Sequence, residues 1–447
     1  MLTMPKDAAI FDIYPKVVPV GREVCFTLLS TDPHMLKNTT CTLTVHGIND
    51  GIKNPFVQNI PFEPLEAPQS GFRFHLTLPK EQEYLVFINF TDKKHSKKHV
   101  SVYALAPDLL ERMPLVGDFH AHTLYSDGKE GPAFVAAEYR KNGFDFATIT
   151  DHRRMEPSRF GVKALEGLEE MPFVLYHGEE VHPGGIHQHV VNFASDNSAN
   201  HFALLEKTLE TWGDRNASPE WEAEIARVME TLTDLPESVD KQEVASALIV
   251  SKIIREGGGM SILAHPHWLW PVYNVDDPTT RYMLENGIFD ALELVGGMTW
   301  QEQQTQIAFY EQLREEGVHI PVVGSSDMHT SLTVPHPTDK LAYFTEERTI
   351  VFAKSNTRDD IISAVKEGYS TTVYMPYGQY PQICGGAYRL KAFATFLLND
   401  YLPRHEARCL AEGNLLHDYV AGIDGAKEQL LSLAAYNKKL EERYFLR

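Results

Sequence analysis

The sequence predicts an α/β protein: strands alternating with helices and closing into a barrel, with a β-rich domain ahead of it and a helical tail behind. Three observations carry that expectation. Residues 1–108 divide into short strand-like runs separated by turn residues. From Leu115 onward, apolar runs of strand length alternate with helix-like stretches, which implies βαβ units and a parallel sheet. Five of those runs end in His, Asp or Glu, and ligands at the carboxyl ends of successive strands fit a barrel with its site on that face.

In chain order, VGREVCFTLL, CTLTVHGI, FRFHLTLP and EYLVFINF each place β-branched or aromatic residues at period two, with Pro, Asn, Asp and Gly between them. Strands at this spacing predict a small β-sandwich over 1–108. The lysine-rich KKHSKK at 93–98 reads as a solvated hairpin turn rather than a nucleic-acid patch. Asp108–Met113 is a connector, and a second domain is predicted over 114–380. Pro132 stands at a first helical position, Ala133–Lys141 continues the helix and Gly143 stops it. Strand Phe146–Thr150, helix Lys241–Glu256, strands Met260–Ala264 and Ala291–Val295, helix Trp300–Glu316 and strand Val322–Gly324 follow. The acidic segment at about 194–240 is an insertion with Trp212 and Trp221. It reads either as a lid at the barrel mouth or as helices packed on the barrel's outside. Strands Leu341–Phe344 and Thr349–Phe352, helix Arg358–Glu367 and strand Ser370–Tyr374 end the domain, and 385–447 is a helical region.

Chemistry concentrates in LVGDFHAHTLYSD, Leu115–Asp127. Residues two apart on an extended chain point the same way, so His120 and His122 can offer two imidazoles to one metal ion. ATITDH (147–152), VLYHGEE (174–180), SILAHPH (261–267) and PVVGSSDMH (321–329) have the same build. Imidazole and carboxylate without cysteine suit Zn, Mn or Fe.

The ordered set H-x-H…SDG, TDH, GEE…H, AHP and SSD-x-H resembles the PHP (polymerase and histidinol phosphatase) metallohydrolases, over roughly Pro114 to Met375. The GEEVHPGG stretch, with β-rich sequence ahead of the first motif, looks most like their carbaryl-hydrolase-like branch. The resemblance implies a distorted seven-stranded (β/α) TIM-like barrel and two or three divalent ions.

Chemistry and resemblance suggest the same partition. Glu180 bridges two ions; His120, His122 and Asp327 complete the first shell. His265 with His187 or His189 completes the second, and Asp127, His152 and His329 form a third site. Glu179 competes with Glu180, and the family's acidic residue falls second in such a pair. The branch's spacing favours His187, whereas the apolar VVNF after His189 favours the latter; His187 is narrowly preferred. Asp151 is expected to orient a ligand histidine, and Asp118 either does the same or is solvated. His177, His182 and His267 flank the motifs as packing residues or proton shuttles.

This set predicts a hydrolase using a metal-bridging hydroxide. Arg153 and Arg154, directly after TDH, suit a bidentate phosphate clamp or a surface ion pair. The first choice favours phosphoester hydrolysis of a small, anionic substrate. Carbamate, ester or amide hydrolysis on the same metals is the alternative, and a non-catalytic metal-binding assembly module is a third reading.

The net charge of −20, from 41 Lys and Arg against 61 Asp and Glu, argues against a nucleic-acid partner. With 43% hydrophobic residues in 447, no run of about 18 apolar residues and no signal-peptide pattern, the sequence predicts a cytoplasmic protein with no membrane partner. Its cysteines, Cys25, Cys41, Cys384 and Cys409, are expected to be reduced. A homo-oligomer is compatible with the flanking regions.

Overall fold

A computed structural model describes residues 10–32, 41–51, 53, 55–66, 69–90, 98–209, 216–269, 271–331, 345–375 and 379–447. The chain divides into two compact units: Met1–Met113 with Ala392–Arg408 and Ser432–Arg447, and Pro114–Lys391 with Cys409–Leu431. The C-terminal helical region is therefore shared between the units rather than standing alone.

The first unit contains two sheets. One orders strands Phe11–Tyr14, Glu23–Ser30, Gly71–Thr77 and Glu63–Pro64; the other orders Val17–Pro19, Lys98–Leu105, Gln82–Phe90, Cys41–Gly47 and Val57–Gln58. Alternation gives each sheet one apolar face, and Phe26, Leu28 and Phe74 of one share a core with Leu43, Val86 and Val102 of the other. Lys16 is 1% exposed and bonds Asp400 at 2.6 Å; Tyr103 packs against Phe393 and Phe396. Helical residues 392–408 thus pack on the sandwich and belong to its unit. The KKHSKK turn, apart from Lys98, lies outside the described residues, as do Leu341–Phe344 and Trp212. All four cysteines are free. Among the described residues no helix is long and apolar enough to cross a membrane.

The second unit is mixed α/β and built on one curled sheet of ten strands. They are β1 Met113–Asp118, β2 Phe146–Ile149, β3 Val174–Val181, β4 His189–Phe193, β5 Met260–Ala264, β6 Ala291–Val295, β7 Val322–Gly324, β8 Glu347–Ala353, β9 Ser370–Tyr374 and β10 Gln382–Cys384. Their order is β7-β6-β5-β4-β3-β2-β1-β8-β9-β10. The curled sheet brings β7 back to β8 and β9 through side-chain hydroxyls: Thr349 Oγ1 bonds the Gly324 carbonyl at 2.7 Å and Ser370 Oγ bonds the Val322 carbonyl at 2.7 Å.

The expected parallel sheet is broken at β4, which runs antiparallel to both β3 and β5. The seven-residue link 182–188 makes β3 and β4 a hairpin, because it is too short for a crossover helix. Reversal has two effects. The start of β4, not its end, lies at the rim where β3 and β5 finish, since Val181 faces Val190 and His189 faces Ala264. The chain then leaves β4 at the opposite rim, where the amide of Ala194 bonds the carbonyl of His177.

The insertion consequently begins away from the site. Its helices Ala199–Ala203 and Pro219–Thr231 lead to Lys241–Glu256, whose N-terminus Asp240 caps by accepting from the amides of Gln242 and Glu243. Trp221 is 2% exposed and shares a core with Ile225, Val244, Val190 and Leu263. For this tryptophan the lid reading is wrong: burying its large ring against the sheet's outer face removes it from any substrate path.

Candidate metal centre

Each predicted motif residue follows from strand parity. Residues paired across β3 and β4 share a face, and Glu180 with Val191 faces one way while Glu179 with Asn192 faces the other. Glu179, on the outer face, accepts from Asn192 Nδ2, Ser198 Oγ, Asn200 Nδ2 and the amide of Ala199 at 2.7–3.1 Å. Four neutral donors saturate it, so it anchors the start of the insertion. Glu180, 1% exposed, points inward among histidines.

Its two oxygens divide the site. Glu180 Oε2 lies 3.5 Å from His120 Nε2, 3.4 Å from His122 Nε2 and 2.7 Å from His152 Nδ1. Glu180 Oε1 lies 2.7 Å from His189 Nδ1 and 3.7 Å from His265 Nε2. Asp327 Oδ1 stands 3.4 Å from His120 Nε2 and 2.9 Å from His122 Nε2. Beyond them, Asp127 Oδ2 is 3.3 Å from His329 Nε2 and 3.7 Å from His152 Nε2. Donor atoms thus gather in overlapping groups, each with all its atoms within 4.8 Å: His120, His122 and Glu180; Glu180, His189 and His265; His122, Asp127, His152 and His329; and His120, His265 and Glu293.

Of the two candidate histidines, the structure brings in His189. The His187 side is exposed; its amide and that of Gln188 bond the Glu243 carboxylate at 2.7 and 3.1 Å, fixing the hairpin loop that delivers His189. The expected lean toward His187 therefore gives way to the reversed strand, which opens with its ligand-type residue.

The donor set fits a divalent cation. Both oxygens of Glu180 and Asp327 Oδ1 are buried and accept no properly directed hydrogen bond, although ring nitrogens lie close by. Ring nitrogens also face each other, His120 Nε2 to His122 Nε2 at 3.2 Å and His189 Nδ1 to His265 Nε2 at 3.0 Å. Lone pairs converging on one point are what coordination requires. Burial pushes His189 down to about 4, leaving its imidazole neutral. Burial alone would raise Glu180, but His152 and His120 outweigh it and hold the carboxylate well below its ordinary range. Buried carboxylates persist only with matching positive charge.

Backbone strain marks the same place. Positive φ outside glycine occurs at Arg153 (64°), His265 (27°) and Asp327 (49°), three of five such residues described. The amide of Arg153 bonds the Glu180 carbonyl at 3.1 Å, and Arg153 is 6% exposed, while Arg154 is half-buried. A glycine is required at Gly297, where φ is +55° and a Cβ would collide with the Asp327 side chain.

The remaining motif residues hold the frame. Among the described residues Asp151 bonds no histidine side chain: it accepts from Thr123 N and Oγ1 at 2.8 and 2.7 Å and from Ser126 Oγ at 2.6 Å, and Ser126 Oγ lies 3.3 Å from His122 Nδ1. Asp118 accepts from the amides of His120 and Ser326 and from Tyr139 Oη at 3.0–3.1 Å, tying two ligand-bearing segments by their backbones. Burial pushes Asp118 up to about 7. His177 contacts the Ser195 carbonyl, His267 contacts Gln306 and Asp277, and the His182 ring lies 3.9 Å from that of His189.

One residue escaped the sequence reading. Glu293, in the middle of β6, is fully buried, with Oε2 3.0 Å from His120 Nδ1 and Oε1 3.1 Å from His265 Nδ1. An acid within the apolar run ALELV was the available signal, because such a strand interior has no other use for a charge.

No family model matches the chain, and no curated protein does. Solved structures do. A two-domain protein from Bacteroides vulgatus containing a predicted PHP-like metal-dependent phosphoesterase is similar at 16% identity and TM-score 0.41, over 61% of this chain and 68% of that one. A predicted metal-dependent phosphoesterase from Bifidobacterium adolescentis is similar at 18% identity and TM-score 0.33, over 56% and 94%. An amidohydrolase from Chromobacterium violaceum, with bound sulfate and no metal, is similar at 16% identity and TM-score 0.30, over 51% and 89%. Likenesses this distant assign no chemistry to the chain.

Proposed function

We propose that the protein is a metal-dependent hydrolase of the PHP type, with β1–β7 as its seven-stranded barrel, acting as a phosphoesterase on a small phosphorylated substrate. The observation that carries this reading is Glu180, a buried carboxylate whose two oxygens face separate sets of histidine nitrogens. In this reading His120, His122 and Asp327 hold a first ion with Glu180, His189 and His265 hold a second, and Asp127, His152 and His329 hold a third. Zn, Mn and Fe suit the donors. When bound, such ions polarise the scissile group and lower the pKa of water toward about 7.

The chain's own groups do the rest. Asp118 and Asp151 keep the ligand-bearing loops in place. The Arg153 amide pins the backbone of Glu180, and Arg153 and Arg154 supply guanidinium forks that match a phosphate. The unit from about 114 to 380 carries the site, and the β-sandwich together with its helices is a separate module.

A second reading, hydrolysis of an ester, carbamate or amide with an apolar group, is favoured by the rim. Leu124 and Phe160 are each 53% exposed, and the Tyr125 ring meets that of Phe160 at 5.8 Å beside the motif that supplies Asp127.

Metal analysis of the purified chain with p-nitrophenyl phosphate and p-nitrophenyl acetate assays, each with and without chelator, tests both. Two or three ions per chain and chelator-sensitive phosphate release support the phosphoesterase. Acetate release alone supports the second reading. Neither ions nor activity after Mn, Zn or Fe is restored would sink both.

A further inference from the structure

We infer that Glu293 is the positioning residue that couples the two ions on either side of Glu180. The inference rests on the proposed metal centre and assigns a role outside its motifs. One carboxylate reaches both rings from behind: Oε2 to His120 Nδ1 at 3.0 Å and Oε1 to His265 Nδ1 at 3.1 Å. Each ring turns its other nitrogen toward Glu180, His120 Nε2 to Oε2 and His265 Nε2 to Oε1.

A neutral imidazole has one N–H and one lone pair. With Nδ1–H donated to Glu293, the lone pair of both rings sits on Nε2, facing the ions. His120, His265 and Glu293 themselves also form a group of potential ligands. A fourth ion there would need the Nδ1 lone pairs, and a neutral ring cannot supply both nitrogens at once. Glu293 therefore selects the tautomer instead of binding metal.

Its position is firm. The carboxylate is fully buried, and the backbone carbonyl of Glu293 accepts from Gln306 Nε2 at 2.6 Å. His120 belongs to the set facing Glu180 Oε2 and His265 to the set facing Oε1, so one side chain orients a ligand of each ion. No atom of the Asp127, His152 and His329 set touches it among the contacts described.

The test uses the full-length chain, stripped and titrated with zinc alone against a competing chelating dye, as wild type, Glu293→Gln and Glu179→Gln. Glutamine keeps the size but has one acceptor oxygen, so only one of the two rings retains its partner. Zinc affinity of the Glu180 pair in Glu293→Gln should fall about 10- to 100-fold, the range for lost outer partners of metal-bound histidines. Affinity at the third site should hold. Glu179→Gln removes a buried carboxylate from the neighbouring face and should leave zinc affinity unchanged. Nitrogen-15 imidazole spectra of the zinc-loaded wild type supply a readout that needs no variant: His120 and His265 should carry their proton on Nδ1. Wild-type binding with unaltered zinc affinity in Glu293→Gln, or a proton on Nε2 of either ring, would overturn the inference while leaving the hydrolase reading intact. A wild type that takes up no zinc would overturn the metal centre and this inference with it.

Discussion

At the scale of single residues, which way a side chain faces decides everything at this centre. Glu179 and Glu180 are chemically alike, yet one is saturated by four donors on the outer face and the other is bare among imidazoles. Replacing Glu180 with Gln should therefore abolish metal-dependent activity, costing more than the roughly 10- to 100-fold loss typical of outer partners. Glu179→Gln should lower the melting temperature and spare the ions. The same contrast applies to His189→Ala, expected to be inactive, and His187→Ala, expected within about 2-fold of wild type because its side chain is exposed. Equal losses from both members of either pair, in steady-state assays and metal counts, would contradict the assignment. The motifs made His120, His122, Asp127, His152, His265, Asp327 and His329 legible, because short-range spacing carries them. Choosing His189 over His187 needed the direction of β4, which depends on pairing with distant strands. Glu293 has no neighbouring motif, and its partners lie 173 and 28 residues away.

Elements supply the next level. Many boundaries were readable: Lys241–Glu256, Met260–Ala264, Ala291–Val295 and Ser370–Tyr374 form as their patterns predict. What local pattern could not reveal was the hairpin between β3 and β4 and the path of the insertion, since reversing a strand leaves its apolar run unchanged. The loop of that hairpin hangs on Glu243, and this has a pH signature. Burial pushes Glu243 up to about 7 from its ordinary 4.5, even as two amides donate to it. Raised in the folded chain, the group binds more protons there than when unfolded. Its contribution to stability is thus complete below about 4.5 and is lost as pH rises through about 7. Thermal melts of Glu243→Gln should be flatter than wild type across that window, and parallel curves for the two proteins would refute the assignment.

For the molecule as a whole, the donor groups that could hold an ion lie, among the described residues, in the unit built on the ten-stranded sheet. Ions that bind only the folded state stabilise it by mass action, about 2.7 kcal/mol at a free concentration 100 times Kd. Calorimetry should show chelator lowering the transition of this unit and leaving that of the sandwich, with zinc restoring it. A melt indifferent to chelator and zinc would count against the centre. The reversed strand also separates two surfaces. It assigns the hairpin to the working rim and sends the chain out at the far end before the helical insertion starts. Asn200 ties the first helix of the insertion back to the working rim, since its side chain donates to the Glu180 carbonyl and accepts from the His182 amide. Ala203 and the adjacent Leu204 lie in the same core as Val181 and Ile186, so the helix that leaves from the far end is a brace for the hairpin, and loosening it would reach the imidazoles from behind.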